Sequence, residues 1–413
     1  MPSITRRTLL GTLAVGATVG VAGCSSSCPD SDAPEPSVVV DAGDAGGAFE
    51  TLPTGSWPSP RFDAGNTGHG PVRPPTESPT VRWRTTLPAP RVDGAAADAS
   101  SPTVADGRVY VATAEGTFAL SLRDGTERWR HEATPATTGP TIGNDDELAP
   151  PVVAGDRVYL ATADGVVALH ADDGTVAWRA TDAAATGVPT VHGDGLVVPT
   201  ADGLVGLGAG DGHRRWTTAV DATLPAVADG TVVAGGEETV GLDAATGERK
   251  WSASARGEFY PVVADGTVFL GTYSQLVGLA LDDGTERWAV DRGGGRTFSA
   301  PVVTPETVYT VERPTEASDA TFALDRSGDG APEPRWCSYV GEGAVTAAAA
   351  GHAFALQTGS TGPETPQLVA FTERFGEATW GCATAARPLP PAILDGGVVS
   401  VTHRGTVAAV GGA

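Results

Sequence analysis

Residues 241–251 read Gly241-Leu242-Asp243-Ala244-Ala245-Thr246-Gly247-Glu248-Arg249-Lys250-Trp251: the end of an apolar strand, an acidic turn closed by glycine, and a short strand finished by tryptophan. The phrase recurs as LSLRDGTERW at 120–129, LHADDGTVAW at 169–178 and LALDDGTERW at 279–288. With weaker copies it yields a ladder, Trp83, Trp129, Trp178, Trp216, Trp251, Trp288, Trp336 and Trp380, spaced by 46, 49, 38, 35, 37, 48 and 44 residues. A period of about 42 residues built from short strands is the mark of a β-propeller, in which each repeat is one blade that cannot bury both faces alone.

The rest of the chain falls into step with the ladder. Pro102, Pro151, Pro189, Pro225, Pro261, Pro301 and Pro391 stand where strands begin, a position at which proline breaks no ladder. Blades are predicted to start near residues 102, 151, 189, 225, 261, 301, 347 and 391. The last repeat stops before any Trp strand, whereas the first Trp strand, around Val81 and Trp83, has no blade in front of it. Each supplies what the other lacks. The expected fold class is all-β: an eight-bladed β-propeller of four-stranded antiparallel blades, closed by an N-terminal strand that completes the last blade. Counted along the repeat, Ala408 is the small residue on which Trp83 should dock.

Most repeats carry a small residue ten positions before the Trp (Ala119, Ala168, Gly206, Gly241, Gly278, Ala370) and a glycine four before it (Gly125, Gly174, Gly212, Gly247, Gly284, Gly376). A small side chain leaves a floor for an indole, and glycine lets a turn approach its neighbour. All eight ladder tryptophans are therefore assigned a structural docking role.

Asp and Glu outnumber Lys and Arg by 50 to 27, a formal charge of -23, with Lys250 the only lysine. Such a charge repels nucleic acid and anionic lipid. It also strains a compact fold through self-repulsion unless salt screens it, so the composition points to a halophilic, archaeal source.

Residues 1–23 read as a lipoprotein signal peptide. Arg6 and Arg7 form a twin-arginine export motif, a weakly apolar Gly/Ala/Val stretch follows, and Val21-Ala22-Gly23-Cys24 matches a lipobox whose cysteine takes the lipid. Residues 24–56, rich in Ser, Asp, Pro and Gly, are expected to be a flexible acidic tether. The propeller then spans 57–413. The expected location is the outer face of the cytoplasmic membrane, held there by Cys24. Cys337 and Cys382 follow ladder tryptophans in successive repeats and are expected to form a disulfide, although blades diverge outward and a bridge needs Cα atoms within ~7 Å.

The Trp phrase resembles the docking motif of propellers like the pyrroloquinoline quinone (PQQ) dehydrogenases, a group that also holds the BamB-like lipoproteins. The likeness covers 57–413, including the leading segment from Trp57 to Asp63. For an enzyme of the group it implies adjacent cysteines, a Ca2+ held by Glu, Asn and Asp, and an Asp base. Here no two cysteines adjoin, and Asn66 and Asn144 are the only asparagines. No HExxH, nucleophile elbow or phosphate loop occurs.

One weak metal signal is Asp325, Ser327 and Asp329, oxygen ligands at the first, third and fifth positions of a loop with Gly330 sixth, as a Ca2+ loop opens. Its twelfth position is Trp336 rather than Glu, and the alternative is an elongated acidic turn. The expected function is a lipid-anchored, non-catalytic scaffold that binds a protein at the cell surface, with no cofactor. The alternative is an exported PQQ- and calcium-dependent oxidoreductase acting on alcohols or sugars.

Overall fold

The inner strands of each repeat are apolar on both sides, so both faces must be covered. Arg108–Thr113 and Gly116–Ser121 are buried almost throughout, whereas in the outer strand Glu127–His131 only Trp129 is buried. Stacking such sheets face to face satisfies this pattern. In the computed structural model, which describes residues 36–41, 46–76, 79–89, 98–132, 135–138, 147–181, 184–222, 224–291, 297–313, 320–328, 330–338, 344–357 and 367–412, these residues form strands and turns and no helix.

Eight blade sheets result, beside one two-stranded sheet of Thr137–Thr138 with Glu147–Leu148. Blade 1 runs outward through Thr103–Ala105, Arg108–Thr113, Gly116–Ser121 and Glu127–His131. Blades 2 to 7 begin with inner strands Val152–Ala154, Thr190–His192, Ala226–Ala228, Val262–Ala264, Val302–Val303 and Val345–Ala349. In blade 8, Ala392–Leu394, Gly397–Val401 and Thr406–Gly411 are followed outward by Thr80–Thr86 from the other end of the chain. The fold is the eight-bladed β-propeller read from the ladder.

The recurrent turn has a chemical reason for each residue. The carboxylates of Asp124, Asp173 and Asp283 accept the backbone N–H and the hydroxyl of the threonine two residues on, at 2.6 to 3.1 Å. Those bonds hold the three carboxyls below their ordinary range. The intervening glycine has a positive φ, near 70°, which side chains resist.

That glycine also meets the neighbouring blade. Trp216 pairs with Gly206 in its own sheet, and its ring lies against Gly247 of the next, where a Cβ would stand 2.6 Å from Cε3. The indole N–H then donates to the carbonyl three residues before that glycine. The bonds run from Trp83 to Leu122, Trp129 to Ala171, Trp178 to Ala209, Trp216 to Ala244, Trp251 to Leu281 and Trp336 to Glu373, at 2.8 to 3.0 Å. Trp288 packs with Phe322 and Leu324 of blade 6.

Three sequence expectations need correction. Trp83 faces Ala409 and Arg84 faces Ala408, because an irregularity between Val81 and Trp83 shifts the register by one residue. The tether is partly built into the propeller. Val38–Asp41 pairs in parallel with the outer strand of blade 7 from Trp380 to Ala383, and Phe49 is buried, its backbone bonded to Arg123. The continuous apolar run Val38-Val39-Val40 is short, but an open blade edge offers the backbone partners it needs. Cys337 and Cys382 are not joined to each other: Cys337 is in a disulfide, and Cys382 is a buried free thiol. Cys382 points into the layer between blades, where Val40 covers it from the added strand. Cys24 and residues 1–23 lie outside the described residues.

Candidate functional site

The inner strand of each blade turns one row of backbone donors toward the ring axis, and the chain answers them with its own leading segment. Trp57 O accepts from Val104 of blade 1 and Pro58 O from Val153 of blade 2. Ala64 O, Gly65 O, Thr67 O and Gly68 O then accept from Val227, Val263, Val303 and Ala348 of blades 4 to 7, at 2.6 to 2.9 Å. His69–Gly70 runs parallel to Ala348 and Ala349. The axis is thus filled by a plug. Sequence reasoning missed it because its bonds use backbone atoms, which leave no residue pattern.

Two buried side chains fix the plug. Arg61, 1% exposed, donates to the carbonyls of Thr346, Pro301 and Asn66 and lies over the Tyr260 ring. Asn66 directs its amide N–H groups at the carbonyls of Leu224, Pro225 and Pro261, at 3.3 to 3.4 Å. Gly65 is required by close approach, since any Cβ there would collide with Val263 O. The only sequence signal was the presence of one of the chain's two asparagines, Asn66, between Gly65 and Gly68.

Between blades 2 and 4 the plug swings away from blade 3. Asp63 N–H donates to Arg61 O at 2.9 Å around Phe62, whose φ of 72° marks a γ-turn of the rare positive-φ kind. Such a conformation costs of order 1–3 kcal/mol and persists only where surroundings impose it; here Phe62 packs on Trp57 with centroids 5.1 Å apart. The detour leaves a cavity of about 210 Å3 beside Val188, Thr190 and Val191 of blade 3, walled also by Pro58, Pro60 and Phe62. Asp63 lines it. Its two oxygens accept Thr67 N–H at 2.9 Å and Thr67 Oγ1–H at 2.7 Å. Burial pushes this carboxyl above the ordinary range, outweighing the Thr67 bonds and the nearby Arg61 and His69 charges. Burial lowers His69 in turn, against Glu373 and Asp63.

These residues do not make the donor set that a calcium-bound quinone requires. Asn66 is committed to three carbonyls, Asn144 lies outside the described residues, and the described cysteines, Cys337 and Cys382, stand in different blades. Among the described residues no three His, Cys, Asp or Glu side chains are grouped to hold a metal ion. In the turn expected to open like a calcium loop, Asp325 accepts from Ser327 N–H and Ser327 Oγ–H at 2.9 and 2.7 Å and pairs with Arg335 at 2.8 Å. Arg335 and Ser327 hold its carboxyl far below the usual range. Asp329 lies outside the described residues.

The fold defines a β-propeller of tryptophan-docked blades. A family model described as outer membrane protein assembly factor BamB matches residues 76–181 and 204–330, and the chain belongs to this family of PQQ-like propellers. No curated protein matches the chain. Among solved structures, BamB from Moraxella catarrhalis is similar at 16% identity and TM-score 0.57, covering 81% of this chain and all of its own. The quinohemoprotein alcohol dehydrogenase ADHIIG from Pseudomonas putida HK5 is similar at 14% identity and TM-score 0.62, covering 86% of this chain and 80% of its own. Sqt1 from Saccharomyces cerevisiae reaches 0.60 at 10% identity, covering 82% and 99%. At these identities the likeness is one of fold.

Proposed function

We propose that the chain is an exported, lipid-anchored scaffold that binds a partner protein and carries out no chemistry of its own. The observation that carries this reading is the plug: the axis is filled by Arg61, Asn66 and backbone carbonyls engaged with the blades. What is left for function is the rim, the loop faces and the blade 3 cavity. Family membership supports it, since the matching model is described by an assembly role. Cys24 is the proposed lipid site and Arg6-Arg7 the export motif.

Crosslinking on intact cells followed by mass spectrometry tests the scaffold role, with recovery of one protein at stoichiometric yield expected. In parallel, the purified protein is titrated with PQQ and Ca2+ and assayed for dye reduction with alcohols and sugars. Saturable quinone binding with turnover would replace the scaffold reading by the oxidoreductase. Cys24→Ser should release the mature protein from membranes, and lysines in place of Arg6 and Arg7 should keep it inside the cell.

A further inference from the structure

Six of the eight inner strands have the N–H of their second or equivalent residue capped by a plug carbonyl. Of the other two, Ile393 in blade 8 is fully buried, while Val191 in blade 3 is only partly so and opens on the cavity. The repeat aims the Val191 N–H at the axis as it aims those of Val153 and Val227, yet among the described residues nothing accepts it. Two carbonyls are missing from the row, at blades 3 and 8, and only at blade 3 does a cavity stand in the place of one.

The walls there are apolar, from Pro58, Pro60, Phe62, Val153, Val188 and Leu224. Asp63 supplies the charge, and among the described residues it forms no ion pair. Arg61 beside it is spent on three carbonyls, and Thr67 contributes only neutral donors. A carboxylate in apolar surroundings is costly until a cation meets it. The chain's net charge of -23 draws cations toward the surface around it. At about 210 Å3 the space is below the ~300–1,000 Å3 of sites for drug-sized ligands, so it suits a side chain or fragment.

We propose that the blade 3 cavity binds a primary alkylammonium group, presented as the lysine side chain of a partner segment. The ammonium meets Asp63, the methylenes lie against the proline and valine walls, and the backbone carbonyl of the same segment caps Val191. The lysine source rests on the scaffold reading, whereas the alkylammonium chemistry does not.

Calorimetric titration of the full mature chain with n-butylammonium and with n-butanol, its neutral counterpart, is the first test. Saturable binding of the amine is expected, at least tenfold tighter than the alcohol. Asp63→Asn, which keeps an oxygen for Thr67 N–H, and Val191→Phe, which fills the cavity, should each weaken it at least tenfold while melting as folded proteins. Equal binding of butanol, undiminished binding by Asp63→Asn, or no amine binding by the folded wild type overturns the proposal. A blocked Gly-Lys-Gly peptide should bind more tightly than the free amine, and a peptide no tighter overturns the lysine source. Undiminished crosslinking of a cell-surface partner by Asp63→Asn also overturns that source while leaving the scaffold reading intact.

Discussion

The indole N–H of Trp380 donates to the carbonyl of Pro75 at 2.8 Å, across 305 residues of sequence. The other ladder bonds end on a turn carbonyl of the next blade. Blade 8 has no such turn, because its third and fourth strands are separate pieces of chain, and Pro75 stands in for it. Trp380→Ala should cost roughly the 3–5 kcal/mol of a buried large-to-small change, and so should Trp251→Ala. Only the former should release the amide protection of Gly396, whose N–H donates to Arg73 O two residues before Pro75. Hydrogen exchange on both variants decides it, and unchanged protection there with Trp380→Ala would show that the Pro75 contact does not hold the seam.

Gly125 and Gly230 share a φ near 70°, but a Cβ would strike Trp83 at the first and meets nothing within 4 Å at the second. Gly230→Ala should cost about 1–2 kcal/mol for its backbone alone. Gly125→Ala should add about 1–3 kcal/mol of overpacking at the interface between blades 8 and 1. Denaturant melts of both compare them directly, and equal losses would mean that Trp83 is not pressed against Gly125.

Asp63 titrates above its ordinary value of 3.8 in the fold because it is buried. The native state therefore holds its proton more tightly than the unfolded chain. The stability this proton gives is present at low pH and is lost as pH rises through the folded pKa. Asp63→Asn should accordingly gain in melting temperature relative to wild type on going from about pH 3.5 to about pH 7. A melting temperature of Asp63→Asn that falls relative to wild type over the same range would contradict the burial effect.

Burial raises the Cys382 thiol to about 12, with Asp41 adding to the shift. At pH 8 that leaves about one thiolate in 10,000. Cys382 should resist iodoacetamide in the native protein and react on unfolding without reductant, whereas Cys337 should need reductant. Peptide mapping of the alkylated sites checks both, and rapid native labelling of Cys382 would contradict its burial.

Lowering ionic strength should loosen the ring, since 23 excess negative charges then act over ~30 Å rather than ~3 Å. Melting temperature measured from molar to millimolar salt should fall continuously. A flat profile would remove the argument for a protein adapted to brine.

The blades were legible because packing writes itself into residue type. Inner strands begin at Thr103, Val152, Thr190, Ala226, Val262, Val302, Val345 and Ala392, within two residues of the predicted starts. Trp pairing was legible where the turn keeps its common length; it was not at Trp336, which pairs with Ala323 thirteen residues earlier, and it slipped by one at Trp83, where two chain ends meet and no count bridges them. The candidate site was not legible. Arg61 and Asn66 bind carbonyls, which every residue carries, and the cavity exists because the plug turns at Phe62, a residue whose type does not announce a positive φ. The cysteines misled because equivalent places in two repeats lie in different sheets.

The plug meets the blades in chain order: Trp57, Pro58, Ala64, Gly65, Thr67 and Gly68 touch blades 1, 2, 4, 5, 6 and 7. It therefore works as a ruler. A ring that gained or lost one repeat by duplication or deletion would put every later carbonyl opposite the wrong blade, so the copy number of this propeller is fixed by a stretch of chain that belongs to none of its repeats.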